Sequence, residues 1–200
     1  MFERQVFRPV SNLLLAAVVF VLAVLLPIGA ALQDSLLEFG ISLGVGATAA
    51  ALAWLLFVRP KLVIDAEQVT IVNPLRTISV PYSAIDLVDS KYLLVISTKT
   101  GSYSCWVAPA PSRYGGRGVI QADIKNLPIT ATPDAQIRAS DSPKAHSGQA
   151  GILVRLAMEQ FKRSPSQINS GDTETISFNV AGVITAAILL LATIALQLIH

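Results

Sequence analysis

Lys61–Val107 reads KLVIDAEQVTIVNPLRTISVPYSAIDLVDSKYLLVISTKTGSYSCWV, and its patterning decides the fold. Leu62 and Ile64, then Val69 and Ile71, are apolar at every second position, which is the signature of a strand with one buried face. Asp65–Gln68 reads as the turn between them. Asn73-Pro74-Leu75 is a second turn, because proline presets φ and asparagine tolerates unusual backbone geometry. Ile78 and Val80 resume the alternation, and Pro81 ends it by removing a ladder donor. Ser83–Asp89 reads as a connector carrying Ile85 and Val88. Tyr92–Ser97 is a continuous apolar run of strand length, Lys99-Thr100-Gly101 turns it, and Tyr103, Cys105 and Val107 alternate in the next strand. Five short strands separated by turn signals predict an antiparallel meander rather than a βαβ unit.

This polar, β-patterned middle lies between strongly apolar segments. The chain has 52% hydrophobic and only 14% charged residues, with mean hydropathy +0.58, unlike an ordinary soluble domain. Residues 1–12 are short and polar, with Arg4 and Arg8. Leu13–Leu32, LLLAAVVFVLAVLLPIGAAL, is uncharged and long enough to cross a hydrocarbon core of about 30 Å as a helix. Pro27 falls in its last third, where a kink is expected. A cleaved signal peptide is the competing reading, on the basic residues, the apolar run and the small residues Gly29–Ala31; the run exceeds the usual apolar core of about 7–15 residues. Residues 33–38 form an acidic turn with Asp34 and Glu38 and no Lys or Arg. A second span follows at 39–58. In it Gly40, Gly44 and Thr48 recur every fourth residue, as do Ser42, Gly46 and Ala50. Such spacing lets a second helix backbone come close. The stripes suit packing on the first span or docking of another subunit, and Trp54 and Phe57 suit an interfacial anchor.

On the C-terminal side, Pro109 and Pro111 break the strand pattern. Residues 109–148 read as a flexible loop, with weak strand signal over Val119–Ile129. Residues 149–163 change to helical period, with Ile152, Leu153, Leu156 and Phe161 on one face, a Glu159–Arg163 i,i+4 pair and Ser147 as a candidate N-cap. This helix is expected to cover an open end of the meander; a basic amphipathic helix on the inner leaflet is the alternative. A spacer at 164–175 leads to a third span at 176–199. Arg4 and Arg8 precede the first span, and Arg59 and Lys61 follow the second, while the 33–38 turn has no basic residue. The positive-inside rule then places residues 1–12 and the 59–163 domain in the cytoplasm and His200 outside, in a multi-pass protein of the cell membrane.

Catalytic patterns are missing from the sequence. It has no Gly-rich phosphate loop, G-x-S-x-G elbow or H-E-x-x-H pair. The single Cys105 excludes an internal disulfide, suits a reducing compartment and, alternating with Tyr103 and Val107, reads as a core thiol. With His146 and His200 the only histidines, a zinc site has almost no ligand set, so no metal and no cofactor are expected. A net charge of +2 is too small and too scattered for nucleic acid. Arg113–Gly118 reads as a solvated basic loop rather than an anion site, the Asp86/Asp89 pair as commonplace, and Glu38 as interfacial rather than a buried functional acid.

The segments LVID at 62–65, VTIVNPLRTISVPYSAIDLV at 69–88, LLVISTKTG at 93–101 and the strand with Trp106 together resemble the pleckstrin-homology-like domains of small actinobacterial membrane proteins. The most specific part is N-P-L-R-T-x-x-V-P-Y-x-x-I at Asn73–Ile85, with Arg76, Pro81-Tyr82 and Ile85 at the family's basic, Pro-aromatic and Ile positions. The likeness covers about Arg59–Val107. It implies two antiparallel sheets closed by a C-terminal helix; with the three apolar runs, the chain is expected to be membrane α-helical, with three transmembrane helices, plus a cytoplasmic mainly-β pleckstrin-homology-like domain. It also implies a scaffold rather than an enzyme. Lipid-headgroup binding is not carried over, because the first hairpin loop, Asp65–Gln68, is acidic. Two functions follow as expectations. One is a non-catalytic adaptor in the lipid bilayer, an accessory subunit bound to other membrane proteins. The other is a sensor of anionic lipid or a small ligand, using Arg59, Lys61, Lys91, Lys99, Arg113 and Arg117. A membrane enzyme or transporter is disfavoured.

Overall fold

The structure is a computed structural model describing residues 4–32, 35–109, 145–163 and 173–199. The chain divides into two compact units. The first comprises Met1–Arg8, Lys61–Val72 and Thr77–Ile176; the second comprises Pro9–Pro60, Asn73–Arg76 and Ser177–His200.

The first unit is built on antiparallel strand pairs. Strands β1 (Gln5–Phe7), β2 (Lys61–Ile64), β3 (Gln68–Val72), β4 (Arg76–Pro81) and β8 (Thr175–Phe178) form one sheet in the order β1-β2-β3-β4-β8. Strands β5 (Ile85–Asp89), β6 (Leu93–Thr98) and β7 (Ser102–Pro109) form a second, in chain order. The period-2 apolar residues are the core: Leu62, Ile64, Val69, Ile71, Ile78, Val80, Leu94, Ile96, Cys105 and Val107 are fully buried. Helix α3 (His146–Arg163) adds Ala150, Val154 and Ala157 to that core.

The corner between the sheets falls at Pro81-Tyr82. Proline ends β4, and a single 3-10 turn, Tyr82–Ala84, redirects the chain into β5. The Tyr82 N–H donates to the Glu67 carbonyl at 3.1 Å, and its hydroxyl donates to the Asp65 carbonyl at 2.8 Å. Its ring lies 5.6 Å from that of Phe161. Burial, with the Asp65 charge nearby, pushes this phenol well above its ordinary value, so it stays a donor.

Several expectations are corrected. Ser83–Asp89 is a 3-10 turn and a strand, not a connector, because Ile85 and Val88 pair with β6 on the core face across a register shift. Helix α3 begins at His146, so Ser147 lies inside its first turn instead of capping it. Its buried face is Ser147, Ala150, Gly151, Val154 and Ala157; Leu156 is exposed, and Ile152, Leu153 and Phe161 only flank the core. Small residues bring the helix close: a Cβ on Gly151 would meet Leu94 Cδ1 at 3.7 Å. Arg155 donates to the Val88 carbonyl at 2.9 Å, and the Glu159–Arg163 pair is present at 3.8 Å. Residues 5–7, read as polar tail, are β1, paired with β2. Thr175, read as the end of the spacer, and residues 176–178, read as the start of the third span, form β8, and residues 164–172 lie outside the described residues. Residues 110–144, including Arg113, Arg117 and Val119–Ile129, lie outside the described residues.

The second unit holds three helices long and apolar enough to cross a membrane. Helix α1 spans Val10–Ala31 with Pro27 inside it. Helix α2 spans Leu36–Ala53 and continues as one π-helical turn, Trp54–Val58. Helix α4 spans Val180–Ile199. The first two start earlier than the apolar runs at 13 and 39, since a helix need not begin with its first apolar residue. Ser35 caps α2, its hydroxyl accepting from the Glu38 N–H at 3.3 Å. The Glu38 carboxylate sits in the first turn, where it complements the helix dipole.

Cys105 tests the core. Burial disfavours its thiolate and pushes the thiol up to about 12. A raised folded-state value stabilises the fold below the ordinary thiol range of about 8.5, and this contribution is lost as pH climbs towards the folded value. A maleimide at pH 8 should leave the native chain unmodified and modify it after denaturation. Modification of native protein at the rate of an exposed thiol would contradict the burial.

Candidate functional site

The most connected polar cluster of the helical unit surrounds the turn Asn73–Arg76. Within the turn, the Asn73 N–H donates to the Arg76 carbonyl at 2.8 Å. Three successive carbonyls of the turn accept bonds from two residues that abut the apolar helices. Arg59, directly after the π-helical end of α2, donates through Nη1 to the carbonyls of Asn73 and Pro74, the latter at 3.1 Å. Asn179, directly before α4, donates through its backbone N–H to the Leu75 carbonyl at 2.8 Å and through Nδ2 to the Pro74 carbonyl at 3.2 Å. The Asn179 Oδ1 accepts from the Gly182 N–H at 3.4 Å, so the same side chain also caps α4. The π-turn, closed by the Arg59 N–H on the Trp54 carbonyl at 2.8 Å, re-aims the residue that follows α2. Burial lowers the Arg59 guanidinium from its ordinary value, but an arginine remains charged and each bond it donates is charge-assisted.

The two small-residue stripes of α2 face different partners within the chain. On one, Gly44 and Thr48 meet α4: a Cβ on Gly44 would lie 2.7 Å from Thr193 Oγ1, and the Thr48 and Thr193 hydroxyls are 3.3 Å apart. Thr193 also donates to the Leu189 carbonyl at 2.7 Å. On the other, Gly46 meets α1, where a Cβ would overlap the carbonyl oxygen of Ala23. That carbonyl is four residues before Pro27, which has no N–H to donate to it. The glycine therefore meets a carbonyl freed by the proline, offering a Cα–H where any other residue would clash. Ala50, with Gly46, borders an apolar groove of about 630 Å³ between α1 and α2, together with Phe20, Pro27 and Phe39. Its lining has no polar side chain. Ser42 bonds only its own helix, donating to the Phe39 carbonyl at 2.9 Å, and Gly40 has open space where a Cβ would be. Of the two stripes, Gly44, Thr48 and Gly46 thus make contacts within the chain, while Gly40 has open space, Ser42 bonds its own helix and Ala50 borders the groove.

Among the described residues the basic candidates do not converge. Lys61 opens β2 opposite Val72. Lys91 precedes β6 and lies 4.8 Å from the Tyr92 ring centroid, while Lys99 is in the turn after β6. Strand β6, about 20 Å long at roughly 3.3 Å per residue, lies between these two lysines. Arg113 and Arg117 are outside the described residues. His146 opens α3 and meets the Phe7 ring edge-on at 6.2 Å. Among the described residues no three His, Cys, Asp or Glu side chains gather as a metal site would require.

The sheet β5-β6-β7 has one feature the sequence did not single out. Its inner pairs, Val88–Ile96, Leu94–Cys105 and Ile96–Tyr103, are buried. The opposite face carries the Leu87–Ser97, Asp89–Val95, Val95–Ser104 and Ser97–Ser102 pairs, with Trp106 alternating outward between Cys105 and Val107. Leu87 is 59% exposed and Trp106 53%. An outward Trp between two buried residues was the available signal. At the other end of β6–β7, the Thr100 hydroxyl donates to the Glu174 carboxylate at 2.7 Å, and Thr98 and Thr100 hold that exposed carboxylate below its ordinary value.

No protein-family model, curated protein or solved structure matches the chain.

Gly46 and Gly40 make the packing testable in one helix. Gly46→Ala should lower the stability of the purified full-length chain by about 1–3 kcal/mol, the usual cost of overpacking. Gly40→Ala should leave it unchanged or raise it by up to about 1 kcal/mol through helix propensity. Denaturant unfolding in detergent reads both. Equal effects of the two substitutions would refute the assigned contacts.

Proposed function

We propose that the chain is a membrane-anchored adaptor without a catalytic role. In this proposal α1, α2 and α4 cross the cell membrane, and the sheet unit is a pleckstrin-homology-like module on the cytoplasmic side. The strand pairing supports that arrangement. β1 precedes α1, β2 follows α2, and the two are hydrogen-bonded neighbours. The α1–α2 hairpin therefore leaves from and returns to one side. β8 precedes α4 and neighbours β4, so α4 starts on that side too and ends on the other. The positive-inside distribution of Arg4, Arg8, Arg59 and Lys61 supports assigning that side to the cytoplasm.

The observation that carries the adaptor role is the outer face of β5-β6-β7. Its Leu87 and Trp106 are both more than half exposed, although their sheet already buries its other face in the core. Trp is among the residues most enriched at interface hot spots. On that face the strand register sets Asp89, Val95, Ser97 and Ser104 between Leu87 and Trp106, so the two are exposed apolar side chains set among mostly polar ones. The lipid- or ligand-sensing alternative has less support, because Lys91 and Lys99 stand at opposite ends of β6.

Purification of the tagged full-length chain from its own membranes in mild detergent should yield a stoichiometric complex with another membrane protein. Truncating a central hot spot costs at least about 2 kcal/mol, or roughly 30-fold in affinity. A Leu87→Ser/Trp106→Ser chain should therefore lose the partner while keeping its thermal unfolding. Recovery of the unaltered chain as a lone monomer, or a complex indifferent to the double substitution, would count against the adaptor.

A further inference from the structure

The exposed apolar side chains around the Asn73–Arg76 turn have an address. We infer that this turn, with Phe178, is a bilayer-interface anchor: Leu75 and Phe178 insert among lipid headgroups at the level where α2 and α4 leave the hydrocarbon. This inference rests on the proposal that the helices cross a membrane.

The depth follows from covalent and hydrogen-bond geometry. Arg59 is the residue after the apolar stretch Leu36–Val58, and Asn179 is the residue before α4. Both bond directly to the turn, through the carbonyls of Asn73, Pro74 and Leu75. A turn within hydrogen-bond distance of two span ends stands at the depth of those ends, which in a bilayer is the interface. There Leu75 is 59% exposed and Phe178, one residue before Asn179, is 71% exposed. In water, two large apolar side chains held this way would be an unrewarded exposure. At the interface they bury into the headgroup and acyl boundary, as the apolar faces of interfacial segments do. Trp54, which is exposed and supplies the carbonyl that closes the π-turn, belongs to the same helix end and is a residue type enriched in that zone.

The hydrogen bonds also explain how a non-helical segment could tolerate that depth. Backbone groups near hydrocarbon must be satisfied by protein. The Asn73, Pro74 and Leu75 carbonyls have donors from Arg59 and Asn179, and the Arg76 carbonyl accepts from the Asn73 N–H. The turn presents Leu75 outward, with Phe178 next to its Asn179 partner, and satisfied carbonyls inward.

Depth-dependent fluorescence quenching tests this in the full-length chain reconstituted into phosphatidylcholine and phosphatidylglycerol vesicles. On a Trp54→Phe/Trp106→Phe background, single tryptophans are placed by Leu75→Trp, Phe178→Trp and, in the middle of α1, Leu22→Trp. Lipids brominated near the headgroup should quench positions 75 and 178 about twofold more strongly than lipids brominated deep in the chain, with little quenching by aqueous iodide. Position 22 should show the reverse depth preference. Strong iodide quenching without bromolipid quenching at 75 and 178, while position 22 responds to deep bromine, overturns the interfacial anchor and leaves the spans standing. No bromolipid response at position 22 overturns the membrane-spanning premise, and the anchor with it.

Discussion

Two residues hold one turn, and much of the chain's organisation depends on that grip. Arg59 and Asn179 are 120 positions apart in sequence, and each adjoins an apolar helix. Both spend their donors on the carbonyls of the same short turn, Asn73–Leu75. A proline in that turn removes a donor and leaves its neighbours' carbonyls to be met from outside. Arginine reaches two of them from a single nitrogen because its guanidinium is planar and always charged. Asparagine uses its backbone N–H, its amide N–H and its amide oxygen at once, serving the turn and the start of α4 together. Replacing Arg59 by an apolar residue would take a charged donor from the Asn73 and Pro74 carbonyls, and replacing Asn179 would take the second donor from the Pro74 carbonyl and the cap from the Gly182 N–H, a cost of about 0.5–1.5 kcal/mol per bond and more where the donor is charged.

The helix hairpin rests on a similar exchange between proline and a neighbour. Pro27 leaves the Ala23 carbonyl without its usual intrahelical donor, and Gly46 brings a backbone up to it. Gly44, Thr48 and Thr193 make the corresponding contact with α4, with hydroxyls paired across the helices. Apolar side chains alone do not draw helices together in a lipid-like environment, whereas close backbone approach and interhelical hydrogen bonds do. Small residues and a few hydroxyls therefore make the closest contacts of the helical unit, and many of its large apolar side chains are exposed.

Much of this was legible in the residues. Period-2 alternation located β2, β3, β4 and β7, and a continuous apolar run of strand length located β6. Pro81 marked the end of β4, and three apolar runs marked the long helices. What escaped has physical reasons. β1 is three residues long, too short for any period to register. β8, Thr175–Phe178, alternates visibly, but its Ile176 and Phe178 merge with the apolar run behind them; Asn179 was the break. The buried face of α3 is small residues, so the larger Ile152, Leu153 and Leu156 drew attention to the wrong side. The stripes of α2 were visible, but spacing alone does not say that one meets α1 and the other α4. The Leu87–Trp106 face depends on register between strands, which only the pairing provides.

The adaptor proposal joins these elements. It needs the sheet unit on one side of a membrane, reached by a helical hairpin and left by a third helix. Membrane-impermeant maleimide labelling of intact cells and of inverted membrane vesicles measures this directly, using Gln5→Cys, Ser102→Cys and His200→Cys in turn on a Cys105→Ala background. Positions 5 and 102 should label in inverted vesicles only, and position 200 in intact cells only. Labelling of positions 5 and 102 from opposite sides, or of position 200 from the same side as 102, would contradict the account.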